Sequence, residues 1–178
     1  MAVAHHLVEL GHRTLAFASG PAHSLDSKHR LTGLREGLAA HDLELQPELI
    51  FSCGSWEADE GARFARTYFK RERDATAVVL ANDALASGFM RVAHQVGVRI
   101  PEDLSIVGFD GLPEGERLWP ALTSVAQPMR AMGAAACRRL FEVIDTPGQV
   151  QTIEFPMRLL VRESTARARA GARTLAAG

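Results

Sequence analysis

The stretch IPEDLSIVGFD, residues Ile100–Asp110, decides the fold because a short apolar run within it ends abruptly at a carboxylate. The same pattern occurs upstream in AVVLANDALASG, residues 77–88, where the apolar run ends at Asn82 and Asp83. Short β-rich runs separated by helical segments indicate buried parallel strands. Polar side chains just past the carboxyl ends of such strands face the crevice in which open α/β sheets bind ligands. The sequence therefore predicts a parallel sheet with a ligand site at one edge.

The rest of the chain alternates between strand and helix periodicity. The predicted strands are Thr14–Ala18, Leu49–Phe51, Ala77–Leu80 and Leu104–Val107. The predicted helices are Met1–Leu10, Ser27–His41, Glu57–Lys70, Ala84–Gln95 and Met129–Ile144. This order predicts an α/β fold, a parallel sheet with helices on both faces. Farther along, Leu122–Val125 is predicted to be extended, and Thr152–Phe155 and Arg158–Val161 resemble two short strands.

Composition and charge exclude several classes of protein. A formal net charge of −1 argues against nucleic-acid binding by this segment, because phosphate recognition needs a concentrated basic surface. The two cysteines, Cys53 and Cys137, form no disulfide framework of the secreted type, which favours a reducing cytoplasm. The sequence has no apolar run near the roughly 20 residues that span a bilayer. Its first ten residues do not resemble a signal peptide.

The sequence contains no recognisable catalytic or cofactor motif. Glycine-rich phosphate loops and a nucleophile elbow are both missing from it, so we predict neither an enzyme nor a bound cofactor. The strongest metal candidate is the set His5, Glu9 and His12, since the first two would lie one turn apart on a helix. The favoured interpretation is that His5 and Glu9 lie on a solvated face of this helix and that Gly11 ends the helix before His12. We therefore predict no metal site.

Four residues form the candidate binding constellation, and each also has a purely structural interpretation. Arg30 offers paired donors or pairs with Asp26; Trp56 offers an aromatic face or covers the core. Asn82 offers a donor and an acceptor or caps the next helix; Asp110 offers acceptors for hydroxyl groups or initiates a turn. All four follow the carboxyl ends of consecutive β-α units, on the same predicted sheet edge, which favours a ligand site.

At these residues the sequence resembles the effector domain of the lactose-repressor/galactose-repressor (LacI/GalR) transcription factors. The matching segments, in the family's order, are HLVELGHRTLAFASG (6–20), HRLTGL (29–34), ANDALASG (81–88), IPEDLSIVGFD (100–110), PALTSV with QP (120–128) and LVREST (160–165). Gly111 stands where many members carry a second acidic residue. The resemblance covers nearly the whole chain.

The resemblance implies a periplasmic-binding-protein-like fold of two lobes that hold a small molecule between them. Residues matching Arg30, Trp56, Asn82 and Asp110 line the effector cleft in sugar-responsive members, and Trp56 favours a sugar over a purine. In this family an N-terminal helix-turn-helix headpiece binds operator DNA, effector binding changes operator affinity, and the second lobe contributes to a homodimer interface. We therefore expect a ligand-sensing domain of a cytoplasmic regulator, without membrane attachment. The alternative is a sugar-binding receptor of a transport system with the same fold.

The resemblance also implies a division of the chain. We expect residues 1–122 to form the second lobe, 123–150 a crossing and a helix of the first lobe, 151–166 the return strands, and 167–178 a disordered tail. The headpiece and most of the first lobe would lie outside this sequence, so sugar binding by this lobe alone is expected to be weak. An apolar stripe on helix 129–144 predicts self-association.

Overall fold

The computed structural model describes residues 1–70, 74–145 and 152–169. Its strands are β1 (Leu15–Ser19), β2 (Ile50–Ser52), β3 (Ala77–Leu80), β4 (Ser105–Asp110), β5 (Thr123–Ala126) and β6 (Arg158–Leu160). Its helices are α1 (Ala2–Glu9), α2 (Leu25–Ala39), α3 (Ala58–Phe69), α4 (Asp83–Gln95) and α5 (Met129–Asp145). Each predicted helix and each of the four predicted β-α-unit strands is present, with ends shifted by up to three residues. Helix α2 begins before the predicted Ser27 because the Ser24 hydroxyl accepts from the Ser27 amide and caps it.

The strands form one sheet in the order β2-β1-β3-β4-β5-β6. The first five are mutually parallel, which confirms the predicted parallel sheet, and β6 pairs antiparallel with β5. Every residue of β1 and β3 is buried, as in central strands covered on both faces. The apolar runs of these strands are therefore continuous rather than alternating.

The connections place the helices on opposite faces. From β1 the chain moves to one side through α2, and from β2 it returns through α3 across β1 to β3. Because such crossovers are right-handed, α2 lies on one face while α3 and α4 lie on the other. The direction of winding reverses between β1 and β3. In open α/β sheets a crevice forms at this point, beyond the carboxyl ends of the strands.

Helices α3 and α4 pack unusually closely, through two glycines. A methyl group built on Gly88 would lie 1.7 Å from the Ala58 carbonyl oxygen, and one on Gly61 would lie 2.0 Å from the Leu85 carbonyl oxygen. Each glycine thus faces the backbone of the opposite helix with no room for a side chain. An aromatic cluster packs beside these glycines, between the two helices and the sheet. Its members are Phe51, Phe64, Tyr68, Phe69 and Phe89.

The sheet extends beyond the predicted end of the lobe at residue 122. Residues 123–126, expected to begin a crossing, are strand β5, and they pair with β4 on one side and β6 on the other. Of the two predicted return strands only Arg158–Leu160 forms, while Thr152–Phe155 is described without regular structure. The predicted boundary at residue 150 and residues 170–178 of the predicted tail (167–178) lie outside the described residues, whereas residues 167–169 are described and the Ala168 amide donates to the Leu10 carbonyl at 2.8 Å. The assignment of segments to two lobes stays a prediction.

Helix α5 has most of its apolar side chains exposed to solvent. Leu140, Phe141 and Ile144 are each at least 60% exposed. We expect the 178-residue chain to self-associate at tens of micromolar, because exposed apolar surface of this kind finds a partner. Light scattering should report a mass above the monomer, and Leu140→Ser with Phe141→Ser should restore the monomer. A monomeric unmodified chain would contradict this expectation.

In the described ranges, no helix has both the length and the apolar character to span a bilayer.

Candidate functional site

Arg30 connects the residues at the reversal of winding. Its guanidinium donates to the Ala81 carbonyl at the end of β3, and it forms an ion pair with the Asp110 carboxylate at 3.6 Å. The same group lies over the rings of Phe109, at 4.0 Å, and of Trp56, at 5.2 Å. The ion pair that the structure records is thus with Asp110 rather than with Asp26. Arg30 is held by cation–π, ionic and hydrogen-bonding contacts from three chain segments, namely the loop before α3, the residue after β3 and the end of β4.

Asn82 and Trp56 are joined beside this arginine. The Asn82 side chain caps α4 by accepting from the Leu85 amide at 2.7 Å, and it donates to the Trp56 carbonyl at 2.9 Å. The predicted capping role of Asn82 is therefore present, and its second bond holds the loop that carries Trp56. The indole is partly buried and lies flat on Gly20, where an added methyl group would be 2.4 Å from the ring.

Asp110 ends β4 with its carboxylate facing Arg30 and Gln127. The side-chain amide of Gln127 donates to the Asp110 carboxylate at 2.7 Å, and the backbone amide of Gln127 donates to the backbone carbonyl of Asp110 at 3.1 Å. Asp110 has a φ of 116° and the next residue, Gly111, a φ of 69°. The turn predicted at Asp110 is therefore present, and it directs the carboxylate back toward the sheet edge.

The charges of this cluster nearly balance. Burial raises the pKa of the Asp110 carboxyl group, while the hydrogen bond from Gln127 and the charge of Arg30 oppose this rise. Burial likewise lowers the pKa of the Arg30 guanidinium, which still carries its proton at neutral pH. A partly buried ion pair of this kind suits a neutral, hydroxyl-rich molecule better than a strongly charged one. An anion would face Asp110, and a cation would face Arg30.

A cavity of about 440 Å³ opens beside Arg30 on the α2 face of the sheet. Its wall is mainly apolar, with contributions from α1, α2 and five strands, and its polar groups include Arg30 and Gln127, whereas Trp56, Asn82 and Asp110 do not line it. The apolar side chains of this wall include Phe17, Leu34, Val79, Phe109, Val125 and Leu159. A concave, mostly apolar wall with a few converging polar groups is the usual form of a small-molecule site.

The sequence prediction missed Phe109 and Gln127. Phe109 lies beyond the predicted strand Leu104–Val107, yet its ring contacts the guanidinium of Arg30. Gln127 follows β5 at the same sheet edge, so the carboxyl-end rule would have identified it if residues 123–126 had been assigned as a strand. The four predicted residues do converge on one cluster, as the parallel order implied.

The metal candidate separates into two places. His5 and Glu9 face each other on α1 at 3.1 Å, whereas His12 is buried and bonds to Thr76 at 2.7 Å and to the Ala166 carbonyl at 3.0 Å. Since a carbonyl oxygen only accepts, His12 Nε2 carries the proton and Nδ1 accepts from the Thr76 hydroxyl. Among the described residues, no set of three histidine, cysteine or acidic side chains is arranged to hold a metal ion.

The buried His12 should make stability fall in mild acid. Burial lowers the pKa of His12 below 6.5. The hydrogen bond to the Ala166 carbonyl raises this pKa in part, and the nearby His6 lowers it further. Below pH 6.5 the unfolded chain therefore takes up this proton before the folded chain, so the free energy of unfolding decreases by at most about 1.4 kcal/mol per pH unit from this group. Urea unfolding between pH 7.5 and 5 should show a shallower decrease for His12→Gln. The exposed His23→Gln variant should keep the original slope, and an unchanged slope in His12→Gln would contradict the assignment.

Cys53 is a structural residue in this arrangement. Burial raises the pKa of its thiol to about 11, aided by the charge of Glu60. The protonated thiol is a poor nucleophile.

Comparison with known proteins assigns the fold to a family. A family model described as a periplasmic binding protein-like domain matches residues 4–165. The chain belongs to the periplasmic binding protein-like domain family. The match covers β1 to β6 together with the cluster around Arg30.

Among its relatives are LacI-family transcriptional regulators, which confirms the resemblance found in the sequence. The periplasmic binding protein-like domain is 34% identical to the ribose operon repressor of Halalkalibacterium halodurans, over 90% of this chain and 47% of the repressor. A LacI-family transcriptional regulator from Mycobacterium smegmatis superimposes with a TM-score of 0.86 at 34% identity, over 93% of this chain and 62% of that one. A LacI-family regulator from Enterococcus faecium with bound ribose superimposes with a TM-score of 0.82 at 28% identity, over 94% and 62%. The chain spans about half the length of the curated relatives it matches.

Proposed function

We propose that this chain is the ligand-sensing part of a LacI-type transcriptional regulator whose effector is a small sugar or a related metabolite. The observation that carries the proposal is the cluster of Arg30, Trp56, Asn82 and Asp110 at the reversal of winding in the sheet. Ligands of open α/β sheets bind at this position. The ribose bound to the Enterococcus faecium relative supports the sugar class.

The chemistry of the cluster suits a sugar. The indole of Trp56 offers an apolar face for the C–H face of a ring, and Asp110 accepts hydrogen bonds from hydroxyl groups. Arg30 supplies donors beside both. Its present contacts with Ala81 and Asp110 would be shared with, or exchanged for, contacts with ligand hydroxyls.

The same cluster provides a route from ligand binding to a change of shape. Asp110 holds Gln127 through two hydrogen bonds, and Gln127 lies two residues before α5. A ligand that competes for the Asp110 carboxylate would therefore alter the segment leading into α5. In this proposal that segment connects two lobes, and their movement changes the affinity for operator DNA of a separate helix-turn-helix headpiece.

The proposal includes a homodimer, a cytoplasmic location and no catalytic activity. The relatives reported above are transcriptional regulators rather than enzymes. They also make the alternative of a transport receptor the less favoured one, since these relatives are named as repressors and transcriptional regulators.

Tryptophan fluorescence tests the proposal directly. The chain has two tryptophans. Trp56 lies in the cluster, whereas Trp119 precedes β5 at the opposite sheet edge and is 85% exposed. In a Trp119→Phe variant, Trp56 fluorescence should change and saturate on titration with ribose, cellobiose or another member of a sugar panel. In NMR titrations, which need no tryptophan reporter, Trp56→Ala should weaken sugar binding by about 0.5–1.5 kcal/mol through lost stacking, whereas Trp119→Ala should bind like the unmodified chain. Sugar binding that is unaffected by Trp56→Ala, or the absence of any response across the panel, would contradict the proposal.

A further inference from the structure

The turn that presents Asp110 is held in a conformation that it would not adopt alone. Both Asp110 and Gly111 have positive φ, at 116° and 69°. Residues other than glycine rarely adopt this region, and they keep it only where the surroundings impose it. The contacts that impose it therefore decide where the Asp110 carboxylate points.

Those contacts lead to one buried carboxylate, that of Asp83. One of its oxygens accepts from the Leu112 amide at 2.8 Å. Its other oxygen accepts from the Ser124 hydroxyl at 2.5 Å, and the Ser124 oxygen accepts in turn from the Gly111 amide at 3.1 Å. The two amides that follow Asp110 are thus bound to Asp83, one directly and one through Ser124.

The position of Asp83 is not explained by helix capping alone. An acidic residue in the first turn of α4 favours the helix dipole at the surface just as well, yet Asp83 is only 4% exposed. Its carboxylate lies against Gly108, where an added methyl group would be 2.3 Å from the Asp83 oxygen. Burying a carboxylate is costly unless its hydrogen bonds are made. Asp83 makes them with the Asp110 turn and with β5.

We propose that Asp83 is a positioning residue of the effector site: through Leu112, Ser124 and Gly111 it sets the direction of the Asp110 carboxylate. This inference rests on the proposed function. It adds that a residue out of reach of the ligand determines how well the ligand is held, and that it does so by way of Asp110. Because Asp83 directly follows Asn82, the N-cap of α4, Asp83 also connects the start of α4 to the turn after β4.

The first test is amide hydrogen exchange in the unliganded chain, which requires no ligand. In Asp83→Asn one carboxylate oxygen is replaced by an NH2 group that cannot accept a hydrogen bond. Exchange at Gly111 and Leu112 should become at least about tenfold faster, while the Ala81 amide, bonded to Ala18 within the sheet, should keep its rate. Asp103→Asn removes a carboxylate at the opposite sheet edge and serves as the matched control. Unchanged exchange at Gly111 and Leu112 would overturn the inference.

The second test is a double-mutant cycle on sugar affinity, with ribose and cellobiose as probes and NMR titration as the measurement. Asp83→Asn should weaken binding by about tenfold in the unmodified chain but by less than twofold in the Asp110→Asn background, because its effect passes through Asp110. Equal losses in both backgrounds would show a general structural role and overturn the inference.

Two further outcomes are distinguishable. If Asp83→Asn does not fold, Ser124→Ala keeps the carboxylate but removes the link to Gly111, and Ser105→Ala, a buried serine at the other end of β4, is its control. Ser124→Ala should then speed exchange at Gly111 and weaken sugar binding, and no change at either would overturn the inference. If no member of the sugar panel binds the unmodified chain, the proposed function fails, while the exchange experiment still decides whether Asp83 holds the turn.

Discussion

Replacing Gly88 with alanine is expected to destabilise the chain more than any other single methyl group added to a helix. The new methyl group would meet the Ala58 carbonyl oxygen at 1.7 Å, and a backbone atom cannot rotate away as a side chain can. Helices α3 and α4 would have to separate, which loosens the aromatic cluster around Phe89. Overpacking of this kind typically costs 1–3 kcal/mol, and we expect about 3 kcal/mol because backbone must move. Urea unfolding followed by circular dichroism should show the midpoint fall by about 1 M or more.

Gly33→Ala is the matched control for this change. Gly33 is also a helical glycine, in α2, but a methyl group added there meets nothing within 4 Å. Since alanine favours a helix over glycine, this variant should be as stable as the unmodified chain or more stable by up to about 1 kcal/mol. Equal stability of the Gly88→Ala and Gly33→Ala variants would show that the α3–α4 contact is looser than described.

Replacing Asp110 with asparagine is expected to have the largest effect on sugar binding. The amide keeps the shape of the side chain but loses the negative charge and one of the two acceptor oxygens. A hydrogen bond to a charged group contributes about 1.5–3 kcal/mol, so affinity should fall by about tenfold or more. NMR titration measures this loss even when binding is weak, because sugars dissolve to high concentration.

The control for Asp110→Asn is Asp103→Asn, which removes an equally charged group paired with Arg99 and Arg169 at the other sheet edge. It should leave sugar affinity unchanged. Urea unfolding of both variants separates binding from stability. If Asp110→Asn binds sugar as tightly as the unmodified chain, the carboxylate faces Arg30 and Gln127 for structural reasons only.

Part of the candidate site followed from the sequence because position along a strand is a local property. An apolar run of four to six residues that ends at Asn82 or Asp110 marks where a strand ends, and parallel order brings such ends to one edge. The bonds made there were not accessible in the same way. Arg30 has a carboxylate four residues away at Asp26, yet it pairs with Asp110, which follows it by 80 residues.

The sequence by itself determined the order of strands and helices, the parallel arrangement of β1 to β4 and the family. These rest on periodicity and on motifs of 6 to 15 residues, which report local backbone preference and burial.

Only the tertiary structure decided that residues 123–126 join the sheet, that β6 runs antiparallel to β5, and that Gly88 meets the backbone of α3. It alone showed that Asp83 and Gln127 hold the Asp110 turn. Such contacts join side chains distant in sequence, and their choice among possible partners depends on burial and direction, which folding sets for the whole sheet at once.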